Sequence, residues 1–219
     1  MTDQPRLFLL TPVLDEVEPF LPRLTAALGS GAVAALLLRL RPDTDERALV
    51  NRVKAVVTAA RASETAVIVA GPPTPLLATV AVRGGADGAH TEDLGAIRAL
   101  RDALKAERSL GVGGLRTKHA AMEAGEAGVD YLLFGEPRPD GYVPDPDLTM
   151  ERATWWAEIF EPPCAAYAAS LSDVADAAAT GAEFVALADA VWDHPEGPAS
   201  GIVAAMRAIA AAKAGEGVA

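Results

Sequence analysis

Short apolar runs recur along the chain, and each is entered from an alanine-rich stretch through a glycine. The clearest copies read Gly85-Ala86-Asp87-Gly88-Ala89-His90, Gly128-Val129-Asp130-Tyr131-Leu132-Leu133-Phe134 and Gly181-Ala182-Glu183-Phe184-Val185-Ala186-Leu187. A looser copy is Gly31-Ala32-Val33-Ala34-Ala35-Leu36. A glycine after a helix supplies the left-handed residue that stops it, and the chain then enters a strand. Filling in the same unit predicts eight strands: Arg6–Leu10, Ala34–Arg39, Ala66–Ala70, Asp87–His90, Ser109–Gly113, Tyr131–Gly135, Cys164–Ala168 and Phe184–Ala188. The runs are continuous rather than alternating, as in parallel strands covered on both faces. Between them, Asp45–Ala60 puts Leu49, Val53, Val56 and Val57 on one helical face, and Leu94–Leu104 does so with Leu94, Ile97, Leu100 and Leu104. Helices are also expected over Arg116–Ala127, Met150–Phe160, Ser172–Ala179 and Gly201–Ala214.

Eight strands alternating with helices predict an α/β fold, a closed (β/α)₈ TIM barrel, as a single domain over residues 1–219. A doubly wound open sheet is the alternative. The first strand leads into Thr11-Pro12-Val13 rather than a glycine-rich dinucleotide loop, which favours the barrel. The longest irregular piece is Glu136–Leu148, whose four prolines are expected to keep it out of helix and central strand. In a barrel it follows the sixth strand, on the face where sites are built.

Composition narrows the function. Hydrophobic residues make up 51% of the 219, which excludes general disorder, and aromatics are only 5%, so small aliphatic side chains are expected to build the core. The formal charge of -11 opposes a nucleic-acid or anionic-membrane partner. A single cysteine, Cys164, excludes an internal disulfide and a multi-cysteine zinc site. The polar start and the lack of an apolar run of membrane-spanning length predict a cytoplasmic protein, and a small-molecule substrate or ligand is what the family resemblance of its motifs implies. Trp155 and Trp156 are adjacent on one helix and cannot share a face, so one of them faces outward or toward a homodimer partner.

Several phrases, in chain order, resemble the thiamine-phosphate synthase family with its thiazole tautomerase relatives. They are Arg6-Leu7-Phe8-Leu9-Leu10-Thr11-Pro12, Leu36-Leu37-Leu38-Arg39-Leu40-Arg41, Gly85 to His90 with Glu92-Asp93-Leu94, Gly128 to Gly135, Pro163 to Tyr167, and Ala186 to Val191. The resemblance covers nearly the whole chain. It implies a (β/α)₈ barrel of thiamine biosynthesis that joins a pyrimidine methyl diphosphate to a thiazole phosphate, releasing pyrophosphate with Mg²⁺. It places Arg39 and Arg41 on phosphate oxygens and Asp93 on the metal.

Other family positions are altered. The third strand ends Ala70-Gly71 where the family has asparagine-aspartate. Ala168-Ala169 stand where two glycines cradle phosphate, and Asp189 stands where a serine helps to bind it. After the sixth strand, Arg138 and Asp140 replace a threonine-lysine pair. Alanine resists the backbone angles of a phosphate nest, and a carboxylate repels the anion. The resemblance therefore implies weakened or altered synthase activity. The alternative is a diverged member, either a tautomerase-like isomerase or a non-catalytic binding or regulatory protein. For the isomerase, Glu136 is the candidate acid–base residue. His90 ends a strand and is a structural or metal candidate, whereas His119 and His194 are expected at the surface and Cys164 in the core.

Overall fold

The computed structural model describes residues 4–30, 32–43, 45–138 and 142–216. Gly31 and Asp140, both named above, lie outside them. All eight expected strands form: β1 Arg6–Leu10, β2 Val33–Arg39, β3 Ala66–Ala70, β4 Gly88–Thr91, β5 Ser109–Val112, β6 Tyr131–Phe134, β7 Cys164–Tyr167 and β8 Phe184–Leu187. They pair in parallel and in chain order, and β8 returns to β1, so the sheet is a closed barrel rather than the open alternative. The helices are α1 Leu21–Leu28, α2 Glu46–Ala60, α3 Leu76–Gly84, α4 Ile97–Leu104, α5 Lys118–Glu126, α6 Pro146–Ile159, α7 Val174–Ala179, α8 Asp189–Trp192 and α9 Pro198–Glu216.

The repeated phrase has a three-part job. Gly85, Gly128 and Gly181 adopt φ of +78°, +87° and +81° and end the preceding helices. Ala86, Val129 and Ala182 are buried next to them. The acid then staples the neighbouring strand. Asp87 accepts from the Val67 amide at 2.7 Å, Asp130 from the Leu110 amide at 2.7 Å, and Glu183 from the Cys164 amide at 2.9 Å. Each acid thus satisfies an amide near the start of β3, β5 or β7, at the end of the barrel where those strands begin.

Two apolar regions divide the core. Between sheet and helices it is largely aliphatic, with Leu36, Leu38, Val53, Val69, Leu100 and Leu132 fully buried. Each such side chain contributes about 1.5–3 kcal/mol over an exposed one. Inside the barrel the expectation of small side chains fails. Phe8 stands edge-on to Tyr131 at 5.5 Å and to Phe184 at 6.1 Å, with Leu37, Ile68 and Leu133 around them. Rings fill the closed interior because Ala35, Ala70, Ala165 and Ala186 leave space on the facing strands.

Some expected elements are corrected. Helix α6 starts at Pro146, inside the segment expected to be wholly irregular. Proline is tolerated in a first turn, where its missing N–H costs nothing, and Asp145 caps the helix by accepting from the Asp147 and Leu148 amides. The repeat signals α1 and α3 only as the helical stretches before Gly31 and Gly85, and it fixes no start for either. Both lack a side-chain N-cap, the signal that marks α2 through Asp45. Trp156 is buried and stacks on Phe160 at 4.1 Å. Trp155 is half-buried, edge-on to Phe160 with Lys118 over its ring. Among the described residues no helix is long and apolar enough to cross a membrane.

Candidate functional site

Strand register decides what meets at the C-terminal mouth. Arg39 ends β2, beyond Leu37 and Ala35 on the inward-facing row. Thr11, fully buried after β1, fixes the start of its side chain: the Arg39 amide donates to Thr11 Oγ1 at 3.0 Å, and Arg39 Nε donates to the Thr11 carbonyl. Burial pulls the Arg39 guanidinium below its ordinary value, opposed by the nearby Tyr167, Asp189, Glu136 and Glu92. Arg39, Glu136 and Asp189 therefore share one electrostatic neighbourhood although β2, β6 and β8 supply them. Tyr167, at the end of β7, completes that ring, and its hydroxyl is pushed up to about 12, first by burial and then by Asp189.

The opposite side of the mouth is built on glycines. His90 pairs in register with Gly111, and Gly111 with Tyr131. A Cβ at Gly111 would lie 2.0 Å from Tyr131 Cζ, so the ring occupies the space a side chain would take. Across that gap the Tyr131 hydroxyl meets His90 Nδ1 at 2.9 Å. A Cβ at Gly113 would lie 2.2 Å from Glu136 Oε1 and 2.7 Å from His90 Nε2. Carboxyl and imidazole thus converge on one small space beside β5.

Glu136 is only 5% exposed, and its Oε1 accepts from the Gly114 amide at 2.5 Å. Burial pushes its carboxyl up to about 8, partly offset by that amide and by Arg138. It is therefore mostly protonated at neutral pH. His90 is held down at about 3, first by burial and then by Arg39, so its imidazole is neutral. Burial also raises Tyr131 well above the ordinary phenol. Arg138 donates to the Gly114 carbonyl and lies 3.6 Å from Glu92, which ties the start of the β6–α6 loop to the β5 exit. Behind Glu136 the space under that loop is about 10 Å³, room for one water and no more.

A larger cleft of about 640 Å³ opens on the other side of His90, over the ends of β2, β3 and β4. Arg39, His90, Glu92 and Asp93 line it together with Val13, Pro72 and Pro73. Asp93 caps the turn ahead of α4, accepting from the Gly95 amide at 2.9 Å. Arg41 lies apart, exposed and ion-paired with Asp15, because the chain leaves β2 at Arg39 and Leu40 bridges Leu14 instead. His119 is exposed beside Glu123, and His194 accepts from the Glu196 amide outside the mouth. Cys164 is fully buried, its thiol pushed up to about 12 by burial.

At the positions matching a phosphate cradle, the Ala168 amide is already engaged within the sheet. The Ala168 amide donates to the Ala186 carbonyl at 2.9 Å, and neither Ala168 nor Ala169 has positive φ. The Ser170 amide donates to Asp173 at 2.9 Å. Asp189 is exposed in the first turn of the four-residue α8. The oxygen donors also fail to fit a resident Mg²⁺. Asp93 is engaged as a cap, and across the cleft Ala70, Gly71 and Pro72 offer no side-chain oxygen. Among the described residues no group of three or more His, Cys, Asp or Glu could hold a metal ion.

Tyr131 and Tyr167 are the site residues that sequence reasoning passed over. The signal available was strand register, which puts both on the inward rows.

A model of the thiamine monophosphate synthase family matches residues 7–191. The thiamine-phosphate synthase of Rhodospirillum centenum is 37% identical over 207 residues, covering 92% of this chain and 96% of that protein. That of Hyphomonas neptunium is 32% identical over 208 residues, covering 90% of each. Among solved structures, thiamine phosphate pyrophosphorylase from Pyrococcus furiosus superposes with a TM-score of 0.75 at 20% identity, covering 96% of this chain and 98% of that one. The 3-hexulose-6-phosphate synthase of Salmonella typhimurium gives 0.71 at 15% identity, covering 94% and 99%. At such identities the two structures speak for the fold alone.

Proposed function

Because the chain belongs to the thiamine monophosphate synthase family, we propose that it is a barrel enzyme of thiamine metabolism whose mouth is set for proton transfer on a heterocyclic substrate, and that its joining of pyrimidine methyl diphosphate to thiazole phosphate is weak. One observation carries the reading: the buried Glu136 carboxyl, held up to about 8, converges with the neutral His90 beside Gly113. An acid with that affinity gives up and regains a proton easily near neutral pH.

In this reading Glu136 delivers its proton to one ring atom of the bound heterocycle. As a carboxylate it then takes a proton from a neighbouring ring position, and the substrate's composition is unchanged. His90 is a positioning residue. In the tautomer this reading uses, the Tyr131 hydroxyl donates to Nδ1 and the neutral ring carries its proton on Nε2, toward Glu136. The magnesium of the resembled synthases has one matching carboxylate here, Asp93, and no part in this chemistry. The phosphate-binding role read for Arg39 from the resemblance is retained in weakened form, since Asp189 shares its surroundings.

The test combines two assays on the purified protein. Coupling of the two phosphorylated substrates is measured against a synthase with intact glycine and asparagine-aspartate motifs. Exchange of ring protons in D₂O is followed by NMR for wild type and Glu136→Gln. Coupling is expected at least 100-fold below the intact synthase. Exchange is expected to drop by about 10²–10⁴ in Glu136→Gln and to fall in the wild type as pH rises through 8. Full coupling, or exchange indifferent to Glu136→Gln, would overturn the reading.

A further inference from the structure

We propose that Tyr167 is a specificity residue of the mouth: its hydroxyl donates to a hydrogen-bond acceptor on the bound ring and so selects rings that carry one. This rests on the reading of the mouth as a heterocycle site and adds what the ring must present. Tyr167 is the last residue of β7, and it shares the inward row with Ala165, two residues earlier. Its side chain therefore forms the top of the barrel interior on that side, at the end where sites are built. Ala186, in register with it on β8, and Ala188 belong to the same inward cluster. Their methyl groups leave room for the ring and offer its hydroxyl nothing to bond.

The chain has three tyrosines, used in three ways. Tyr142 is exposed, with Arg116 over its ring. The Tyr131 hydroxyl is engaged by His90 at 2.9 Å. Tyr167 is only 6% exposed, yet among the described residues its hydroxyl has no hydrogen-bond partner. A buried tyrosine hydroxyl ordinarily finds one. The oxygen is not sealed inside the core either, so it opens on the mouth. Phenylalanine would fill the same interior space. The hydroxyl is thus surplus to packing and aimed where a ligand sits.

The surroundings decide what it does there. Burial, and then Asp189, hold the hydroxyl up to about 12, so it keeps its proton at neutral pH and serves as a donor. Arg39, from β2, has donors only. This side of the mouth therefore presents two donors, while Asp189 beside them disfavours an anion. A neutral acceptor such as a ring nitrogen satisfies Tyr167 without that repulsion.

The experiment is an NMR titration of the full chain, with its tyrosines carbon-13 labelled at Cζ, at neutral pH. The probes are 4-methylthiazole and 3-methylthiophene, rings of one shape in which a C–H replaces the ring nitrogen. The wild type is expected to bind the thiazole at least fivefold tighter than the thiophene, the scale of one ordinary hydrogen bond. The Tyr167 Cζ signal, assigned by its loss in Tyr167→Phe, should move downfield with the thiazole and not with the thiophene. In Tyr167→Phe the two affinities should fall within twofold of each other, with thiophene binding unchanged. Equal affinities in the wild type, a preference that survives in Tyr167→Phe, or a Cζ signal that does not move downfield with the thiazole would each overturn the proposal. The wild-type signal decides the matter should Tyr167→Phe fail to fold. Binding is read without turnover. A Tyr167-dependent preference without Glu136-dependent proton exchange sinks the acid–base reading alone, and Glu136-dependent exchange without that preference sinks this inference alone.

Discussion

The Tyr131 hydroxyl touches His90 Nδ1 at 2.9 Å by reaching across Gly111, the residue in register with both. Strands β4 and β6, separated by β5, share this side-chain hydrogen bond. They do so here because β5 contributes no side chain at that level. The glycine is therefore part of the site, although it carries no chemistry of its own.

Gly111→Ala tests that role. A Cβ 2.0 Å from the Tyr131 ring forces the ring away from β5. Overpacking of this kind costs about 1–3 kcal/mol. We expect a lower melting temperature together with a rise in the His90 pKa as its partner is withdrawn. NMR titration of the imidazole reads the second effect, which a change in packing alone would not produce.

Glu136 imposes an alkaline limit on stability. Its carboxyl moves from an ordinary value of 4.5 to about 8 on folding. Folding therefore favours the protonated form, so the contribution is complete below 4.5 and is lost as pH rises toward 8. The slope approaches 1.4 kcal/mol per pH unit for one proton. Glu136→Gln should gain stability relative to wild type between pH 5 and pH 8, measured by urea unfolding. Parallel stability curves would contradict the buried, protonated carboxyl.

His90 sets the matching limit in acid. Its imidazole falls from 6.5 to about 3 on folding, so the folded state excludes the proton. That contribution is complete above pH 6.5 and is lost as pH falls toward 3. His90→Gln should flatten the acid limb of the unfolding curve between pH 6 and pH 4. An unchanged limb would mean that the imidazole accepts its proton in the folded protein.

Asp189 is expected to repel phosphate. It shares the surroundings of Arg39 and Tyr167 yet is exposed, so water screens it. A gain of about 1.4 kcal/mol, tenfold in affinity, is the scale to expect from its removal. Calorimetry with thiazole phosphate should show little binding by the wild type and a measurable gain in Asp189→Ser. Adding glycine at Ala168 should give little more, because that amide already donates to Ala186.

The strand staples make a separate prediction far from the mouth. Asp87→Ala leaves the Val67 amide without its side-chain acceptor. The bond is charge-assisted but partly exposed, so a loss of about 1–2 kcal/mol is expected. Urea unfolding should detect it, while ligand binding at the other end of the barrel stays unchanged. A loss of binding without a loss of stability would show that the two ends are coupled.

The strands were legible because their code is local. A glycine, a small apolar residue and an acid, followed by an apolar run, act on their own helix and on the next strand, and the barrel was readable from their repetition. The starts of α1 and α3 were not legible, because packing rather than a side-chain cap fixes them. At the mouth, sequence pointed to Arg39, Asp93, Glu136 and Asp189 by position, but it treated Arg39 and Arg41 alike. The end of β2 separates them, one turned to the mouth and the other paired with Asp15 at the surface. His90 with Tyr131, 41 residues apart, and Glu136 with Gly114, 22 apart, meet only when the sheet closes. Closure also buries Glu136 and His90 and moves both proton affinities. Burial depends on every strand at once, so no stretch of the chain encodes it.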